Sequence, residues 1–161
     1  GTFENFDTYE FDLRYQPLEE QRAWVDLAIR AGASWFSEKG ANEAAPFAQV
    51  LVDRTFANRV LIAAGLSYHE RASAPERKNN KSGWALAASA STEVRISDAL
   101  AWDAEVVTNL AGLNQRYTIW CTGPKLLTNR HTFAVVVSNA QAVTVDTLVA
   151  GSRRGVDELV I

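Results

Sequence analysis

The chain has 161 residues, a formal net charge of −3, 47% hydrophobic and 22% charged residues, five tryptophans, one cysteine and no methionine. That length suits one domain with an adequate core, the composition is that of an ordinary soluble globular chain, and a single cysteine excludes an internal disulfide. The small negative charge exerts no pull towards nucleic acid or an anionic membrane.

No apolar run approaches the ~18–20 residues that a membrane-crossing helix needs. The opening residues, Gly1 to Asp7, are acidic and aromatic, unlike the basic-then-apolar start of a signal peptide. The expectation is a soluble chain with no signal peptide, no transmembrane segment and no membrane span.

Along the chain, Thr8 to Tyr15 alternates strictly, with Tyr9, Phe11, Leu13 and Tyr15 on one side and Thr8, Glu10, Asp12 and Arg14 on the other. Period two means a strand with one dry and one wet face. Pro17 then suits the first position of a helix, with Glu19 and Glu20 in the first turn, where the helix dipole favours them. Trp24, Leu27, Ala28, Ala31 and Trp35 form its apolar stripe and Gly40 its stop.

Pro46 opens a second predicted helix, running through about Val60. For Arg59–Tyr68 a helical continuation and a strand compete, because a short apolar run fits either. His69 to Gly83 is polar and locally basic, and reads as a loop. Trp84 to Ile96 alternates loosely as a strand. Ser97 or Asp98 then caps a third predicted helix with Trp102, Val106, Leu110 and Leu113 on its stripe.

Arg116 to Val137 reads as a β-hairpin whose connection holds Gly123, Pro124 and Asn129. Ala142–Val149 is a further short strand. The pattern predicts one α+β domain over residues 1–161: an N-terminal strand, a central strand and a C-terminal three-strand meander form an antiparallel sheet, packed by two or three helices.

The candidate chemistry is sparse. If the hairpin pairs Cys121 with His131, a thiol and an imidazole meet, and Asp146 on the next strand can orient the histidine. The competing reading packs Cys121 as a small hydrophobe. Arg77, Lys78 and Lys81 form a basic arm that suits phosphate, although the mixed charge of the loop makes nucleic acid the less favoured partner. Trp84 and Trp120 are free of the helix stripes and suit an interface, whereas Trp24, Trp35 and Trp102 are expected in the core.

Tyr9, Asp53, Tyr68, His69, Asp103 and Tyr117 are residue types that can line an acid–base pocket. The histidines and cysteine have no metal-ligand spacing, so neither a metal nor a cofactor is expected. The favoured function is a non-enzymatic assembly component acting through self-association or a protein partner. The alternative is a small cofactor-independent enzyme or small-molecule binder with a pocket between helices and sheet.

Overall fold

The computed structural model describes residues 7–38, 41–73, 82–113, 117–128, 130–140 and 152. These residues hold no helix. Nine strands follow in order: β1 (Asp7–Leu18), β2 (Asp26–Glu38), β3 (Ala41–Phe56), β4 (Val60–Ser73), β5 (Ser82–Arg95), β6 (Leu100–Gly112), β7 (Ile119–Leu127), β8 (Thr132–Ala134) and β9 (Val137–Ser138). They make one antiparallel meander in which each strand pairs with the next from β1 to β8, while β9 pairs β7.

The pairs Lys125–Ala134 and Thr122–Val137 belong to one register, so β8 and β9 are two ends of a single eighth strand. The ladder breaks at Pro124, which has no N–H to donate, although its carbonyl still accepts from Val135 N at 3.1 Å. Gly123 is required beside it. A Cβ there would collide with the Val135 carbonyl oxygen.

The α+β expectation is therefore overturned, and all three predicted helices are strands. Pro17–Gly40 covers the end of β1, a connection and β2; Pro46–Val60 falls mostly on β3; and Ser97–Gly112 is mostly β6. Of the ambiguous Arg59–Tyr68, Val60–Tyr68 resolve as strand, in β4, and Arg59 belongs to the turn before it. The strand readings of Thr8–Tyr15 and Trp84–Ile96 match β1 and β5. The C-terminal hairpin exists, but β7 runs on to Leu127 and Thr128 N donates to His131 O beyond it, so Gly123 and Pro124 sit inside β7, while Asn129 lies outside the described residues. The predicted strand Ala142–Val149 lies outside the described residues.

The physical reason for the misreading is an ambiguity of period. Trp102, Val106 and Leu110 are spaced by four, and four is both a helical repeat and an even number. The same spacing therefore lines one face of a strand, and Ala104 and Thr108 between them complete that face. Pro46 is tolerated in β3 because the β3–β4 ladder begins only at Phe47–His69.

Burial separates the two faces of the sheet, and the separation is inverted. Only eight hydrophobic residues are fully buried among the described ones, five of them alanine, whereas large apolar side chains from Tyr9 to Val136 are exposed on every long strand. Trp24, Trp35 and Trp102, expected in the core, are among those exposed.

On the opposite face, side chains reach across an intervening strand. Ser34 Oγ on β2 lies 3.4 Å from His69 Nε2 on β4, and Lys125 Nζ on β7 donates to Glu93 Oε2 on β5 at 2.6 Å. The sheet curls towards this polar face, which is the inner one. Its packed part gathers Phe47, Ala85, Ala87, Val107 and Ile119.

Candidate functional site

The register divides the strands cleanly. Facing out are Tyr9, Phe11, Leu13 and Tyr15 of β1, Ile29 and Trp35 of β2, Val50 and Val52 of β3, Ile62, Leu66 and Tyr68 of β4, and their partners on β5 to β7. Strand residues on the inner face include seven acids (Glu10, Asp12, Asp26, Asp53, Glu93, Asp103, Glu105) and four bases (Arg14, Arg30, Arg95, Lys125). Of the described strand side chains that bear charge, only Arg54 and Glu70 face out.

A face so apolar and so large cannot sit stably in water, where exposed patches rarely exceed a few hundred Å². Its solvent is another apolar phase. The aromatic residues define the limits of that phase. Tyr9, Trp35, Tyr68 and Trp84 ring the end at which β1 begins, with Tyr9 opposite Trp35 and the Tyr68 and Trp84 rings stacked at 6.4 Å. Tyr15, Trp24, Phe56, Trp102 and Phe133 ring the other end.

Between these girdles, Trp84 and the Val94–Trp102 pair are ten residues apart along β5. That is about 33 Å of strand, or about 25 Å of depth at a tilt near 40°, which is the height of the apolar band of a transmembrane barrel. Residues 5–158 match the family described as "Membrane bound beta barrel domain (DUF5777)". The chain belongs to this family. No curated protein and no solved structure matches it.

Membership corrects the expectations of a soluble chain without a membrane span and of a soluble assembly module or enzyme. That no helix of the described residues is long and apolar enough to cross a membrane is a separate matter. It does not bear on strands, which cross with about 9–11 alternating residues.

The inner face holds two charge clusters. On β1 to β4, Arg30 Nη2 donates to Glu10 Oε1 at 2.7 Å and to Asp12 Oδ2 at 2.6 Å, while Nη1 donates to Gln49 Oε1 at 3.1 Å. Gln49 Nε2 passes the chain on to Ser67 Oγ at 3.0 Å. Gly32 makes room for this cluster, because a Cβ there would meet the Asp12 backbone and side chain at 2.8 Å. Next to it His69 is fully buried and stacks on Phe47 at 5.9 Å.

On β5 to β7, Lys125 Nζ bonds Glu93 and stands 3.2 Å from Asp103 Oδ2, with Arg95 Nε 3.5 Å from Glu93. These side chains stay in contact with water: Arg30 is 26% exposed and Lys125 25%. Glu105 and Arg14 are more open still.

The sequence-derived candidates are dispersed. Cys121 faces inward opposite Ser138, with Sγ 4.0 Å from Glu105 Oε2. His131 lies at the β7–β8 turn, where its N–H donates to Thr128 Oγ1 at 2.9 Å. The register does not bring the two together. Trp84 and Trp120 are on outward positions towards the end at which β1 begins. Asp146, Arg77, Lys78 and Lys81 lie outside the described residues.

Of the acid–base set, Tyr9 and Tyr68 face out, while Asp53, His69 and Asp103 face in on three separate strands. No cluster of three or more metal-binding side chains occurs among the described residues. Sequence reasoning missed Arg30, Glu93 and Lys125. The signal available was local: Arg30 lies between Ile29 and Ala31, Lys125 between Pro124 and Leu126, and Glu93 and Arg95 flank Val94.

Proposed function

We propose that this barrel domain provides a water-filled, cation-preferring passage for small hydrophilic solutes and ions. The observation that carries the reading is the inner face itself, where seven acids against four bases line the described strands and keep contact with water. Rings of carboxylates lower the energy of a cation in a pore and raise that of an anion.

The packed group of Phe47, His69, Val107 and Ile119 occupies part of the interior towards the end at which β1 begins, and on this reading it restricts the solute to small species.

Reconstitution in a planar bilayer under a potassium chloride gradient tests this. The expected result is discrete conductance with a reversal potential displaced towards that of potassium, and a smaller displacement in the Glu93→Gln, Asp103→Asn double variant. Folded, inserted protein without conductance would refute the passage and leave a membrane anchor.

A further inference from the structure

The outer face carries one feature that lipid solvation alone does not require. Arg54 is a cation on the lipid side of β3, two residues before the strand ends at Phe56. Its guanidinium carbon lies 4.1 Å from the Trp24 ring centroid and 5.1 Å from that of Phe56. Both are within cation–π range.

Trp24 reaches this place at a cost. It lies in the β1–β2 connection with φ of 54°, a left-handed backbone that bulky residues rarely adopt, and it is 78% exposed. The conformation lays the indole over the arginine on the outer surface.

The cage leaves Arg54 incompletely partnered. The carboxylate beside it, Glu20, stands 3.9 Å from Nε, beyond hydrogen-bond reach, and Glu20 Oε2 already accepts from Thr55 N at 3.0 Å. Arg54 Nε is shielded and has no hydrogen-bond partner among the described residues. A cation held at a fixed position at a membrane boundary, between aromatic faces and ion-paired to Glu20 only at 3.9 Å, matches one chemistry closely: a phosphate, reached through the terminal guanidinium nitrogens, with two acyl chains below it.

We propose that Trp24, Arg54 and Phe56 form a headgroup site for an anionic phospholipid. Its phosphate accepts from the Arg54 guanidinium, and its chains lie against Val52 and Ile62. The proposal needs membrane insertion but not conduction.

The test compares spin-labelled phosphatidylglycerol with spin-labelled phosphatidylcholine around the reconstituted full chain in phosphatidylcholine vesicles. A cation near an anionic surface is worth roughly a fivefold enrichment, and that preference is expected for the wild type. Arg54→Gln should abolish it, while Arg54→Lys keeps part of it. Trp24→Ala, in the connection and outside the strands, should weaken it without touching the sheet. Equal enrichment in wild type and Arg54→Gln, or none in the wild type, would overturn the site. Removal of the enrichment by inorganic phosphate alone would assign the cage to a free anion and overturn the lipid.

Discussion

Val106→Arg separates a lipid-facing wall from a water-facing one. Val106 is the middle residue of β6, points outward and is 48% exposed. It lies four residues from Trp102 at one girdle, about 13 Å along the strand and about 10 Å in depth at a 40° tilt. That puts it close to the centre of a band about 25 Å tall, where an arginine on the lipid face costs about 2–4 kcal/mol. The folding equilibrium should fall by roughly 30- to 1,000-fold.

Leu100→Arg, on the same face but at the first position of β6, should cost about 0–1 kcal/mol because the guanidinium reaches the headgroups. Urea unfolding of both variants in phospholipid vesicles, followed by tryptophan fluorescence, measures the two costs. If Val106→Arg were neutral to within about 0.5 kcal/mol, as exposed substitutions in water usually are, the outward face would not be solvated by lipid.

Two further outcomes follow from the register. Cys121, as the single thiol, should react with a small water-soluble methanethiosulfonate in vesicles, whereas a cysteine placed at Val106 in a Cys121→Ser background should not. Equal labelling of both would contradict the assignment of faces. Gly123→Ala should cost about 1–3 kcal/mol, because its methyl group meets the Val135 carbonyl across the interrupted eighth strand. Unchanged urea midpoints for that variant would show that residues 135–136 do not run against β7 as described.

Much of the local structure was legible in the residues. The alternation of β1 needs nothing beyond its own twelve positions, since Tyr9, Phe11, Leu13 and Tyr15 can share a face only in an extended chain. The Ala57–Asn58 turn between β3 and β4 was not legible. Both residues adopt left-handed backbone, at φ of 50° and 57°, without the glycine that normally marks such a turn.

By itself the sequence determined one-sided polarity in β1, short connections in the C-terminal third, and the absence of a crossing helix. What only the tertiary structure decided was the period of β2, β3 and β6 and the side on which the apolar residues lie. Spacings of four serve helix and strand equally, and an alternating strand looks the same whether its apolar face meets a protein core or a bilayer. Pairing across eight strands removes the first ambiguity, because Ile29, Val50 and Leu66 align on one surface while Arg30, Gln49 and Ser67 align on the other. The second is removed by the curl of the sheet, which encloses charge and leaves the apolar face outside. The Trp24–Arg54 contact lies further still from the linear chain, since it depends on one strained residue in a turn meeting a neighbouring strand thirty positions away.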